Sequence, residues 1–216
     1  MIENTGRLKI FYQLISKISE IQQENLQGCI MTTAKFVWKE ELQGGEYKVQ
    51  IVHESEIGVA IKAWGIKNTG EVVQSLHVKL MKKRWSEKFG GDGREKQNEK
   101  WEPIIGQYKE CTQIQGNEAE LEEYLRKVGD TNEIHRGKKA VMPGLYIVWI
   151  CLKKCEAFFE KCERVHVRFI KPVYVGNRIQ VYKKEGLMEE QGIERYREQL
   201  FLIVTNQTVA AEIKLK

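Results

Sequence analysis

The chain has 216 residues, of which 42% are hydrophobic and 30% charged, and its formal net charge is +5 at pH 7. This composition is typical of a soluble globular protein of one or two domains. It contains no run of 18 apolar residues, so no transmembrane helix is predicted. Its lysines and arginines are scattered among glutamates, whereas nucleic-acid binding favours a concentrated basic stripe.

The cysteine pattern predicts a reducing compartment. Five cysteines occur without a CxxC pair, namely Cys29, Cys111, Cys151, Cys155 and Cys162. An odd number of unpaired cysteines favours free thiols in a cytoplasm. The N-terminus also lacks the apolar core of a signal peptide. Cys151 and Cys155 lie one helical turn apart, and no second ligand pair is close in sequence, so core packing is favoured over a metal site.

The first half of the chain reads as one helix followed by four strands. Apolar residues recur at steps of three and four from Leu8 to Ile21, which predicts an amphipathic helix near 8–24, ended by Gly28. Strand-like runs, several with alternating apolar residues and with glycine-containing turns between some of them, follow at 29–38, 46–54, 59–67 and 71–81.

A glycine-rich charged segment, 86–100, then predicts a linker. It divides the chain into an N-terminal unit, 1–85, and a C-terminal unit, 101–216.

The second half follows a similar order. A strand near 106–113 precedes a polar amphipathic helix, Glu118 to Lys127, and a loop. Pro143 can begin the next helix, Gly144 to Glu160, which is apolar on nearly every side and is therefore predicted to be buried. Strands are predicted at 164–171, 177–183, 195–204 and 207–215.

A buried helix wrapped by a long antiparallel sheet is the hot-dog architecture, and the order repeats on both sides of the linker. The predicted fold is therefore α+β, a double hot-dog with two helix-wrapped antiparallel sheets in one chain. Such a chain supplies both halves of the usual hot-dog dimer, so we expect a monomer, with a homodimer as the alternative.

The strongest local motif is Gly129-Asp130-Thr131-Asn132-Glu133-Ile134-His135. It resembles the GDxNPxH signature of the MaoC-like, or hydratase-2, family of (R)-specific enoyl-thioester hydratases. The segment RFIKPVYVGNRIQV, 168–181, resembles that family's strand–PV–x–x–GD–strand region, with Asn177 where aspartate is usual. The resemblance covers about 104–216. It implies a lyase that interconverts 3-hydroxyacyl and 2-enoyl thioesters of CoA or acyl carrier protein, without a further cofactor.

The residue types suit that chemistry. Adding water across a conjugated thioester needs a base and an acid, and Asp130 and His135 could share one water that supplies both hydroxyl and proton. The developing enolate oxygen needs a donor, and the resemblance assigns the backbone N–H of Gly144, at the start of the buried helix, to that role. Asn132 matches the family's asparagine and is expected to hold the geometry of the site.

Two departures from the family pattern stand out. Glu133 replaces proline, and only eight residues separate His135 from Gly144. This spacing resembles the HFPGxPVMPG loop of the beta-hydroxyacyl carrier-protein dehydratases, but Trp149 stands where those enzymes have a carboxylate. Trp149 and Pro143 are candidates for the substrate-binding wall, with a core position as the alternative for Trp149.

The sequence is compatible with several alternatives. Arg136, Lys138 and Lys139 either meet the negative charge of a CoA or carrier protein or are simply solvated. Asp130 and His135 would be ordinary turn and loop residues if the motif were fortuitous. A hot-dog thioesterase and a non-catalytic acyl-binding protein, in which the short loop and Trp149 close the site, compete with the lyase.

The remaining sequence features point away from a second site. His53, His77 and His166 are expected to be structural or solvated. The N-terminal unit lacks the motif and is predicted to be a catalytically degenerate hot-dog. In two-domain eukaryotic hydratase-2 proteins such a unit shapes the acyl pocket, and the same role is expected here by analogy.

Overall fold

The computed structural model describes residues 6–21, 26–82, 102, 107–137, 140–155, 159–184 and 199–216. Its helices are α1 (Gly6–Ile21), α2 (Glu118–Val128) and α3 (Gly144–Lys154). Its strands are β1 (Ile30–Trp38), β2 (Glu46–Glu54), β3 (Gly58–Ile66), β4 (Val72–Met81), β5 (Tyr108–Gln115), β6 (Arg164–Phe169), β7 (Arg178–Lys184), β8 (Gln199–Thr205) and β9 (Thr208–Leu215).

The strands form one nine-stranded antiparallel sheet in the order β2-β3-β4-β1-β6-β9-β8-β7-β5. The first four strands come from the N-terminal half and the other five from the C-terminal half. The two halves join where β1 pairs with β6, with Ala34 opposite Val167. The predicted α+β hot-dog fold is confirmed, but the two predicted sheets are joined edge to edge into one continuous sheet.

Helix α1 supplies much of the core of the N-terminal half. It packs against β2, β3 and β4 and contacts α2 and α3. Phe11 is buried and meets Phe36 of β1 edge to face, with ring centroids 5.3 Å apart, and Phe159 at 6.4 Å. Burying one such side chain contributes about 1.5–3 kcal/mol. The apolar stripe that predicted this helix is therefore the face that fixes it to the sheet.

Helix α3 is buried as its composition predicts, but it ends at Lys154 rather than Glu160. The Cys155 N–H donates to the carbonyls of both Cys151 and Leu152, which tightens the last turn. Residues 156–158 lie outside the described part of the chain, as do 22–25 at the predicted end of the first helix and the linker 86–100. In the described residues, no helix is both long and apolar enough to cross a membrane.

Candidate active site

The position of Asp130 follows from the way α2 ends. Asn117 caps the start of this helix by accepting the Ala119 N–H, and Gly129 ends it in the left-handed conformation with φ 73°. The Asp130 N–H then donates to the Leu125 carbonyl at 3.0 Å. This is a common helix ending in which glycine avoids the strain that a side chain would bring. This ending fixes the position of Asp130, the first residue after Gly129.

A second turn carries the chain from Asp130 to His135. The Asn132 N–H donates to Asp130 Oδ1 at 2.9 Å. Asn132 Oδ1 accepts the Ile134 N–H at 3.4 Å and so caps a short 3-10 helix, Glu133–His135. Asp130 and Asn132 are both buried. These contacts suit the predicted role of Asn132 in holding the loop.

The two side chains of the predicted dyad lie together. His135 Nε2 is 3.7 Å from Asp130 Oδ2, and the side chains are only 10% and 8% exposed. His135 Nδ1 donates to the Val141 carbonyl at 2.6 Å. A carbonyl accepts only, so the proton sits on Nδ1 and the neutral ring offers the Nε2 lone pair. At 3.7 Å the two groups do not bond to each other, but one water can donate to both.

Burial lowers the pKa of His135 below its ordinary value of 6.5. The Asp130 carboxylate and the bond to Val141 oppose this shift without reversing it. The ring is therefore neutral at physiological pH, as a base requires.

The chain between His135 and α3 is held by the segment that resembles the family's PV–x–x–GD region. Val141 donates to the Ile134 carbonyl at 2.8 Å, and Met142 donates to the Val173 carbonyl at 2.7 Å. Val175 in turn donates to the Ala140 carbonyl at 3.0 Å. The two segments form a short ladder that brings the N-terminus of α3 to the same cavity as the dyad.

Gly144 begins α3 and lies on the cavity wall. The first intrahelical bond runs from the Ile147 N–H to the Pro143 carbonyl, so the N–H of Gly144 has no partner within the helix. A Cβ at Gly144 would lie 2.8 Å from two carbons of the Phe169 ring. The close approach of the Phe169 ring therefore favours glycine at this position, and the N–H of Gly144 can donate a hydrogen bond to an oxyanion.

A cavity of about 740 Å³ surrounds these groups. The N-terminal half lines it from α1, the turn after α1, β1 and β4, with Ile15, Ile18, Leu26, Cys29, Met31 and Leu80 among the lining residues. The C-terminal half adds the dyad, the start of α3, Phe169 to Val173 and part of β8 and β9. The wall is mainly apolar with a few convergent polar groups, as small-molecule sites are.

Only one of the two residues predicted for the substrate-binding wall lines the cavity. Pro143 lines the cavity, whereas Trp149 does not line it and instead packs edge to face on Tyr12 and stacks on Tyr146, beneath Lys153. Trp149 therefore takes the core position that the sequence left as its alternative, because α3 turns it toward the aromatic cluster between the helices.

The expected carrier-binding residues are only partly described. Arg136 is exposed and donates to the Asp130 carbonyl at 3.1 Å, so it also braces the loop. Lys138 and Lys139 lie outside the described residues. Of the other histidines, His53 and His166 are exposed, and His77 is half-buried with a pKa lowered by burial.

Tyr124 was missed by sequence reasoning. It lies on α2, is buried and lines the cavity. Burial raises the pKa of its hydroxyl well above 10, and the nearby charge of Asp130 adds to this. In the sequence it is only one member of the apolar face of α2, with Leu121, Leu125 and Val128. Within the described residues, no group of three potential metal ligands occurs.

Comparison with known proteins identifies the fold through structure alone. No family model and no curated protein matches the sequence. A solved MaoC-like dehydratase superposes with a TM-score of 0.68 at 12% identity, over 97% of this chain and 82% of its own. This chain has the hot-dog fold.

Other solved structures that share this fold are enzymes described by different names. The peroxisomal multifunctional enzyme type 2 of Drosophila melanogaster matches 99% of this chain and 42% of its own, with a TM-score of 0.62 and 16% identity. An acyl-ACP thioesterase from Bacteroides thetaiotaomicron matches 87% of this chain and 75% of its own, with a TM-score of 0.54 and 10% identity. At these identities the likeness shows the hot-dog fold alone, so any function has to be argued from the site.

Proposed function

We propose that this protein interconverts a 3-hydroxyacyl thioester and a 2-enoyl thioester by adding or removing water. The observation that carries this proposal is the dyad: His135 Nε2 and Asp130 Oδ2 lie 3.7 Å apart on the wall of a largely apolar cavity. Two acceptors at that separation can hold one water by both of its hydrogens, leaving a lone pair of its oxygen for the substrate.

In the hydration direction the water oxygen bonds to C3 of the enoyl group. The dyad takes up a proton from this water and returns a proton to C2, so hydroxyl and hydrogen both enter the product. Charge develops on the thioester oxygen during this step, and the N–H of Gly144 at the start of α3 is the donor assigned to it. Dehydration follows the same path in reverse.

The substrate is expected on CoA or on an acyl carrier protein, since both present the acyl group as a phosphopantetheine thioester. Arg136 is exposed beside the dyad loop and Lys171 lines the cavity, and both are positively charged. They suit a negatively charged carrier. Charge reversal at both residues should raise KM at low salt, and an unchanged KM would remove this assignment.

A thioesterase is the second candidate, because the fold is shared with an acyl-ACP thioesterase and Asp130 could direct water at the thioester carbonyl. A non-catalytic acyl-binding protein has less support, since Trp149 does not close the cavity.

A panel of enoyl and 3-hydroxyacyl thioesters separates these functions. The proposal predicts a change in enoyl absorbance without release of free thiol. Thiol release would favour the thioesterase, and binding without turnover would favour the acyl-binding protein.

A further inference from the structure

The turn that follows α1 is hydrogen bonded to the loop that carries the dyad, although 103 to 106 residues separate them. Gln27 makes two of these bonds with its side-chain amide. Its Oε1 accepts the Glu133 N–H at 2.9 Å, and its Nε2 donates to the Thr131 carbonyl at 3.2 Å. One side chain therefore spans the backbone on both sides of Asn132.

The backbone next to Gln27 holds Asn132 itself. The Gly28 N–H donates to Asn132 Oδ1 at 2.9 Å, and Asn132 Nδ2 donates to the Cys29 carbonyl at 3.4 Å. Gly28 has φ 74°, in the left-handed region that favours glycine. The N-terminal half thus contacts each of the three residues between Asp130 and Ile134.

These three residues determine the relation between the two members of the dyad. The Asn132 N–H binds Asp130 Oδ1, and the His135 N–H donates to the Asn132 carbonyl at 3.1 Å. A shift of Asn132 would therefore move the carboxylate and the imidazole relative to each other. A displacement of about 1 Å in such a site can reduce the rate about a hundredfold.

We propose that Gln27 is a positioning residue that holds the loop 131–133 and so keeps Asp130 and His135 in reacting geometry. This inference rests on the proposed function. The N-terminal half, which lacks the motif, then contributes to catalysis through a polar clamp as well as through the cavity wall. Gln27 is exposed, so its role is not to fill the core.

Gln27→Met tests the clamp, because methionine is of similar length but lacks the amide. We expect kcat for hydration to fall about tenfold or more with KM nearly unchanged, since the acyl-binding wall is intact. Gln27→Glu keeps the acceptor for the Glu133 N–H, so its kcat should fall less than that of Gln27→Met. Gln50→Met, at an exposed glutamine of β2, is the matched control and should keep wild-type kcat.

Amide hydrogen exchange tests the same clamp without turnover. Gln27→Met should speed exchange at Glu133, while the amides of β1 and β4 and the melting temperature stay unchanged. Unchanged exchange at Glu133, or faster exchange with wild-type kcat, would overturn the positioning role. A wild type that turns over none of the thioesters would instead defeat the proposed function, and the exchange result would still decide whether the clamp holds the loop.

Discussion

The ionisation of His135 links the chemistry of the site to pH. Burial lowers its folded pKa below 6.5, so the neutral ring that accepts a proton should persist into mildly acidic solution. We expect kcat/KM for hydration to be level at neutral pH and to show its histidine-dependent acid limb below 6.5. A pH–rate profile with that limb centred above 6.5 would contradict the neutral, buried ring.

The same shift makes stability depend on pH. As pH falls through 6.5, the unfolded chain binds a proton at His135 that the folded chain still excludes, so the free energy of unfolding declines until pH passes the lower folded value. His135→Asn should lose less stability than wild type between about pH 8 and about pH 5, measured by urea unfolding. Equal losses would show that His135 is not the group responsible.

Space is tight at Gly144, whose N–H is the proposed donor to the oxyanion. In Gly144→Ala the new Cβ would meet the Phe169 ring at 2.8 Å, so the ring or the start of α3 must shift. We expect kcat/KM to fall on the order of tenfold to a hundredfold. Adding Phe169→Leu should restore part of the loss by making room. If Gly144→Ala alone kept wild-type kinetics, the close packing of Gly144 on Phe169 would not matter to the reaction.

Single-residue roles were only partly visible in the sequence. Asp130, Asn132 and His135 could be proposed because their spacing matches a known signature. The side of α3 on which Trp149 lies could not be predicted, because residues on opposite sides of a fully buried helix look alike in sequence. Gln27 contacts the dyad loop from the other half of the chain, and Tyr124 reaches the cavity from α2. No local sequence pattern encodes such contacts.

At the scale of elements, the end of α2 determines where Asp130 lies. Gly129 has φ 73°, and among the described residues other than its two chain neighbours no atom lies within 4 Å of the position that a Cβ would take, so Gly129→Ala strains the backbone without a clash. We expect a loss of about 1–2 kcal/mol in stability together with a fall in kcat.

Asn117→Ala is the matched control for this element, because it removes the cap at the other end of α2 and costs about 1 kcal/mol. It should weaken the helix but keep kcat. If both variants lost activity equally, activity would follow the stability of α2 rather than the position of Asp130.

The sheet was the part most readily predicted from sequence. In β6, Val165 and Val167 alternate with His166 and Arg168, and the structure buries the valines and exposes the other two. A strand with one buried face has a period of two residues, so its register is specified locally. The end of α3 was predicted too late because the apolar pattern continues past Lys154, where the backbone conformation changes at Cys155.

On the scale of the whole molecule, β1 and β6 join the halves into one sheet, so one chain contains both halves of the pocket. We therefore expect sedimentation to give the mass of a single chain, 25.2 kDa. The exposed edge strand β2 carries Ile51 and Val52. A stable dimer at micromolar concentration would contradict the expectation that one chain suffices.

Turnover by dyad variants tests the central claim most directly. Asp130→Asn keeps the shape and the acceptor for the Asn132 N–H but removes the carboxylate, and His135→Ala removes the imidazole. Each should lower kcat for hydration of an enoyl thioester by at least about a hundredfold, and the double variant should be little worse because the two act on one water. His166→Ala, at an exposed position, should stay fully active. Wild-type turnover in either dyad variant would contradict the assignment of a hydratase.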